Sequence, residues 1–269
     1  RYVNRSIAQG VVGFVAPAVA GEVDCLSVEE RTLVVRTIID EAAGRVPVIG
    51  GASDPDPSIR LAVAGNYLEL GCAGLLVHIP YENEDSYINA VRELSGVQPG
   101  ILMLQDLDAG PVPVSLLARL HREVPPFDWL KLETSDKLRK CSELLQETEG
   151  HLQIGSAGPD VVELLDRGVR AYLPTLYHDV YARIWSLYRA EDRRGAVDLW
   201  RRLVPCLSFA AAHGDKHWHI SKRVLQAEGI FATARTRVLA PPPDPVEARM
   251  IAEIAEYAQE LSRSIAETR

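Results

Sequence analysis

A lysine stands where the chain should be apolar. In Phe127-Asp128-Trp129-Leu130-Lys131-Leu132-Glu133-Thr134-Ser135-Asp136 the run Trp129 to Leu132 reads as a short strand, and the Thr/Ser/Asp cluster after it begins a helix. Lys131 therefore falls near the strand's C-terminal end, between two leucines. Burying an ammonium is costly. Deprotonation relieves that cost and leaves a free amine able to attack a carbonyl carbon. A second reading of the same residue needs no chemistry: the side chain snorkels out of the strand end, or pairs with Glu133 or Asp136.

The elements around it decide where such a lysine would point. Val11 to Ala16 is a compact apolar run, and Ser27-Val28-Glu29-Glu30 is a capping-box pattern that opens an amphipathic helix ending at Ala43. Strand signals follow at Val46 to Gly50, Gly74 to Ile79, Ile101 to Leu104, Trp129 to Leu132, Leu152 to Gly155 and Arg170 to Pro174. Helix signals fill the gaps, at Pro57 to Leu70, Ser86 to Leu94, Pro113 to Glu123, Lys137 to Glu147 and Pro159 to Arg167. Such alternation requires parallel strands with crossover helices, in an open doubly wound sheet or a closed barrel.

The count favours the barrel. Seven strands are present, and Tyr2 to Gln9 looks like the end of a helix, so one strand is expected ahead of Arg1. Eight would close a (β/α)8 TIM barrel. After Pro174 the pattern is all-helical, with Asp179 to Ala190, Arg193 to Ala212, Lys216 to Glu228 and, beyond Pro241-Pro242-Pro243, Pro245 to Ala266. The expectation is an α/β protein: residues 1–190 a (β/α)8 barrel lacking its first strand, and residues 191–269 a C-terminal helical extension. Chemistry in such barrels sits at the C-terminal strand ends, where Lys131 lies on the sixth strand of eight.

Composition narrows the partners. The 269 residues are 47% hydrophobic, ample for one large core, and the formal net charge of −8 argues against nucleic acid or an anionic membrane surface. Cys25, Cys72, Cys141 and Cys206 lie far apart without a CxxC pair, which suits reduced thiols in apolar positions. No apolar run approaches a membrane span and the start does not look like a signal peptide, so a cytoplasmic protein is expected.

Several motifs in this order resemble one family. They are Gly21-Glu22 ahead of Leu26-Ser27-Val28-Glu29-Glu30-Arg31, Val46-Pro47-Val48-Ile49-Gly50-Gly51, Gly71-Cys72-Ala73-Gly74 leading to Pro80-Tyr81, Leu130 to Asp136, and Ser221-Lys222-Arg223-Val224-Leu225. Together they cover almost the whole chain. They resemble the pyruvate-dependent class I aldolases and lyases typified by dihydrodipicolinate synthase and N-acetylneuraminate lyase. The resemblance implies a Schiff base between Lys131 and pyruvate or another 2-oxo acid, no cofactor, and a homodimer or homotetramer.

The departures from the family matter as much. Where the family has Gly-Thr-Thr-Gly-Glu this chain has Ala18-Val19-Ala20-Gly21-Glu22, so Val19 and Ala20 offer only backbone N–H groups to a substrate carboxylate. Met103 aligns with the family's catalytic tyrosine, and a thioether relays no proton. Asp108 aligns with an arginine that binds the distal end of some substrates, which argues against the dihydrodipicolinate synthase reaction itself. Glu22 is read as a structural helix-entry residue.

Other groups compete for the acid–base role. Tyr172 could point into the barrel mouth, Tyr177 and His178 follow it on a loop, and Asp106 and Asp108 follow the Met103 strand. Gly155-Ser156-Ala157-Gly158 could bind an anion at a helix N-terminus or simply make a tight turn. His213, His217 and His219 have helical spacing but no carboxylate or cysteine arranged beside them, and no metal is expected. Lys222 is read as structural. Two functions remain open: a lyase or aldolase acting through Lys131, or a catalytically weakened or inactive relative that binds a small acid or acts as a scaffold.

Overall fold

The computed structural model describes residues 1–214, 217–239 and 241–267. Seven strands form one sheet: β1 (Phe14–Ala16), β2 (Val48–Gly51), β3 (Gly74–His78), β4 (Leu102–Asp106), β5 (Phe127–Leu132), β6 (Gln153–Ser156) and β7 (Ala171–Tyr172). They pair in chain order and every neighbouring pair is parallel. Strictly sequential parallel pairing needs a crossover between each pair of strands. The helices α2 (Val28–Ala42), α3 (Pro57–Glu69), α4 (Glu84–Gly96), α5 (Val114–Glu123), α6 (Lys137–Glu147) and α7 (Val161–Arg167) supply those crossovers. The fold is α/β of the TIM-barrel type, with α1 (Tyr2–Ala8) ahead of β1 and α8 (His178–Arg189), α9 (Arg193–Ala212), α10 (His217–Ala227) and α11 (Pro245–Ala266) after β7. Lys216, expected to open the tenth helix, lies outside the described residues.

Local chemistry fixes the helix starts. The Ser27 hydroxyl accepts from the Glu30 N–H while the Glu30 carboxylate accepts from the Ser27 N–H, satisfying two orphan donors of α2. Asp244 and Glu247 repeat the arrangement at α11, with Pro245 in the first turn. Each such cap is worth about 1 kcal/mol.

Two compact units divide the chain. The sheet unit is Val12–Ala157 with Glu163–Leu173; the helical unit is Arg1–Val11, Gly158–Val162 and Pro174–Arg269. This differs from the division expected at residue 190, because α8 packs along α9 and so groups with the later helices.

Within the sheet unit, alternation separates two apolar layers. Leu75, Val77, Leu102, Leu104, Leu130, Leu132 and Ile154 project on one face and are wholly buried, each contributing about 1.5–3 kcal/mol. On the other face Ile49, Leu76 and Met103 cluster with Val15, Ala18, Ile101 and Trp129. In the helical unit Ile220 and Val224 of α10 pack on Ile251 and Ala255 of α11, with Leu176, Tyr177 and Phe209 against them. There Arg5 of α1 pairs with Glu228 at 2.6 Å, and the Tyr2 hydroxyl donates to the Thr175 carbonyl at 2.6 Å. None of the helices described is long and apolar enough to cross a membrane.

Candidate active site

Register assembles the site. Gln105 pairs with Lys131 across β4 and β5, Lys131 with Gly155 across β5 and β6, and Gly155 with Ala171 across β6 and β7. His78 pairs with Gln105 across β3 and β4. Cross-strand partners share a face, so His78, Gln105, Lys131, Gly155 and Ala171 form one row near the C-terminal strand ends. One row below, Leu76, Met103 and Trp129 belong to the apolar cluster. Lys131 thus stands on an apolar floor.

Its amine has one carboxylate partner. Lys131 is 8% exposed and its Nζ lies 2.8 Å from Glu133 Oε2, to which Gln105 Nε2 also donates at 2.7 Å. The Glu133 N–H donates to the Asp106 carbonyl at 3.0 Å, continuing the ladder beyond β5, and this keeps Glu133 on the face of Lys131 two residues earlier. Gly155, its neighbour in the row, has no side chain, and a Cβ there would come within 3.0 Å of Leu173 Cδ1. His78 anchors the edge of the row through Nδ1, which donates to the main-chain carbonyl of Gln105 at 3.1 Å. Such a site offers a carbonyl compound an amine and an adjacent group able to hold a proton.

Other residues singled out in the sequence separate clearly. Met103 is buried in the floor, beneath Lys131 rather than beside its amine. Val19 and Ala20 form an exposed turn after β1, at the same end of the sheet as Lys131. Asp108 is exposed and accepts from the Ser135 N–H at 2.8 Å, tying the segment after β4 to the one after β5. Tyr172 requires a correction: it pairs with Ser156, one residue out of step with the Lys131–Gly155–Ala171 row, and so lies on the opposite face. Asp106 is likewise on the opposite face, where it pairs with Lys140 at 2.6 Å, and cannot serve Lys131 as a base. Glu22 does not cap α2, which Ser27 does; buried and left-handed with φ of 58°, it leads into the single-turn helix Val23–Cys25.

The remaining candidates are taken up elsewhere. The Ser156 hydroxyl donates to the Leu132 carbonyl at 2.7 Å, which leaves the glycine-flanked turn without a free hydroxyl for an anion. Tyr177 and His178 are not on a solvated loop: Tyr177 caps α8 in left-handed conformation and His178 is buried in its first turn. Desolvation lowers the His178 pKa, against a weaker opposing effect from the Pro174 carbonyl. His213 and His217 each engage a main-chain carbonyl through Nδ1, of Phe209 and Gly214, and His219 is buried. Lys222 donates to the Arg235 carbonyl at 2.9 Å. Among the described residues no three potential metal ligands cluster.

The sequence reading missed Gln105 and His78 and treated Glu133 only as a structural partner. Period-two alternation from Lys131 and Met103 would have put Glu133 and Gln105 on the site face.

Comparison with known proteins agrees with this geometry. Residues 1–93 match the model of the dihydrodipicolinate synthetase family. A 4-hydroxy-tetrahydrodipicolinate synthase from Oleidesulfovibrio alaskensis is 28% identical over 196 residues, covering 70% of this chain and 66% of that protein. The chain is similar to members of the dihydrodipicolinate synthase family. The structure of the 4-hydroxy-tetrahydrodipicolinate synthase from Methylacidiphilum fumariolicum superposes with a TM-score of 0.91 at 17% identity, covering 99% of this chain and 91% of that one. A prophage protein of the dihydrodipicolinic acid synthase family from E. coli K12, solved in complex with pyruvate, gives a TM-score of 0.84 at 18% identity, covering 97% and 90% of the two chains. Aligned to the first of these relatives, the chain spans about two thirds of its length. The departures at Val19, Ala20, Met103 and Asp108 are therefore set within a dihydrodipicolinate synthase-like fold.

Proposed function

We propose that this protein is a Schiff-base lyase or aldolase, with Lys131 as the nucleophile and pyruvate or another 2-oxo acid as substrate. The observation that carries this is the setting of Lys131: a buried amine at a strand's C-terminal end, on an apolar floor, with a glycine beside it. The ammonium gives up a proton to solvent, and the amine adds to the substrate's C2 carbonyl. The carbinolamine takes a proton back from solvent on its hydroxyl, loses its oxygen as water and leaves an iminium. That cation draws electrons from the neighbouring carbon, so bonds to it can be made or broken. The relatives' names and the pyruvate bound to the prophage protein support the substrate class. Asp108 places a negative charge at the strand ends, which disfavours a second substrate carboxylate there and supports a reaction other than that of dihydrodipicolinate synthase.

A homodimer or homotetramer and a cytoplasmic location complete the proposal. No cofactor enters it. One observation favours the alternative of a weakened enzyme or scaffold: the exposed Val19–Gly21 turn carries no hydroxyl and Met103 lies in the floor. Borohydride reduction in the presence of a panel of 2-oxo acids, followed by peptide mapping, decides between them. The expected result is an adduct on Lys131, absent in Lys131→Ala; no adduct with any acid selects the scaffold.

A further inference from the structure

Schiff-base chemistry needs a group to move the proton at the substrate carbon next to the iminium, and Met103 cannot do so. Several other positions on this sheet are also ruled out. Tyr172 and Asp106 face away, the Val19–Gly21 turn has no hydroxyl, and His78 lies two strands from Lys131, with its Nδ1 held by the Gln105 carbonyl. Glu133 remains, its Oε2 2.8 Å from the amine and 2.7 Å from Gln105 Nε2. In an iminium built on Nζ, the substrate's C3 lies two bonds from the nitrogen, roughly 2.5 Å away. A carboxylate beside Nζ is thus within reach of a C3 proton. Its side chain is 22% exposed against 10% for Lys131, so it sits toward the open side, from which a substrate would enter.

We infer that Glu133 is the catalytic acid–base for the C3 proton, held in place by Gln105 as a positioning residue; the inference rests on the Schiff-base reading of Lys131. In this step the Glu133 carboxylate takes a proton from C3. The C–H electron pair becomes the C2–C3 double bond, and the C=N π pair returns to nitrogen. The products are a neutral enamine and a protonated Glu133, and the reverse step returns the proton to C3 of the product. Charge complementarity favours the arrangement, because the same carboxylate faces the iminium cation before the transfer.

Two readouts on one protein separate this inference from the reading beneath it. Borohydride trapping of pyruvate at saturation reports the iminium, and deuterium incorporation into the pyruvate methyl in D2O, followed by proton NMR, reports the C3 step. Glu133→Gln is expected to trap pyruvate on Lys131 while exchanging the methyl at least about 100-fold more slowly than the parent. Gln105→Leu is expected to lie between them and to shift the pH profile of exchange. Exchange by Glu133→Gln at the parent rate overturns the inference and leaves the Schiff base standing. Loss of trapping in that variant also overturns it, since Glu133 would then be needed for the iminium rather than for C3. Absence of any adduct in the parent protein removes both readings. If Glu133→Gln fails to fold, Glu133→Asp, which keeps the charge but withdraws the oxygen by one methylene, is read by the same two measurements.

Discussion

Lys140 Nζ lies 2.6 Å from Asp106 Oδ2, with side chains 6% and 1% exposed, on the face of the sheet opposite Lys131. Both ends are further bound: the Val112 N–H donates to Asp106 Oδ1 at 2.9 Å, and Lys140 Nζ donates to the Val112 carbonyl at 2.5 Å. The pair therefore clamps α6 to the segment between β4 and α5. Breaking a buried pair strands the remaining charge, so Lys140→Met is expected to lower unfolding stability by about 3–5 kcal/mol. Asp106→Asn keeps a hydrogen-bonding side chain but leaves the ammonium uncompensated, and should cost a similar amount. Urea titration followed by circular dichroism measures both. A loss below about 1 kcal/mol in each would show the clamp to be dispensable.

Gly51 closes β2 under a much tighter restriction. A Cβ there would sit 1.7 Å from the Pro17 carbonyl oxygen, and backbone cannot swing aside as a side-chain tip can. Gly51→Ala is expected to destabilise by more than the roughly 1–3 kcal/mol typical of overpacking. Gly155→Ala meets the movable end of the Leu173 side chain at 3.0 Å and Ala171 at ordinary contact distance, and should fold while adding a methyl group to the row of Lys131. Thermal melts of the two variants should therefore differ sharply, and trapping of 2-oxo acids should fall in Gly155→Ala despite near-normal melting.

The sequence showed the elements because local chemistry sets them. The Ser27–Glu30 capping box and the apolar runs ending at His78 and Leu132 lie where the pattern puts them. Lys131 stood out for the same reason, a charge among leucines. A register shift sets which residue of β4 lies opposite Lys131. Leu102 pairs with Phe127 but Met103 pairs with Trp129, so Asp128 is an extra residue in β5. Without that bulge Lys131 would pair with Asp106 rather than Gln105. The side of the sheet on which Asp106 works depends on that single insertion and on Lys140, a residue 34 positions later. Tyr172 was misplaced similarly, since a two-residue strand carries too little alternation to fix its face.

His178 gives the helical unit an acid limit. Burial lowers its pKa, with the Pro174 carbonyl and Asp179 opposing and Arg5 adding to the effect. Between the lowered folded value and the ordinary unfolded value of about 6.5, the unfolded chain binds more protons. The contribution of neutral His178 is therefore full above about pH 6.5 and is lost as pH falls toward the folded value. His178→Gln is expected to show a shallower decline of stability than the parent as pH falls below about 6.5. Chemical denaturation at half-unit pH intervals supplies the comparison; parallel slopes would show that His178 does not set the limit.

The cysteines offer a way to watch each unit open. Cys25 is exposed, whereas Cys72, Cys141 and Cys206 are buried. Burial pushes each of these three thiols up to about 11. At pH 8 only about a thousandth of such a thiol is the reactive thiolate, and the surrounding side chains exclude a reagent as well. Alkylation with iodoacetamide should modify Cys25 first, with the other three following only as their surroundings open. Cys72 and Cys141 lie in the sheet unit and Cys206 in the helical unit, so mass spectrometry of the labelled peptides reads the two openings separately. If the units unfold as one cooperative body, the three buried cysteines will label at a common rate under conditions where opening of the native fold is limiting. Earlier labelling of Cys206 would identify the helical unit as the one that opens faster.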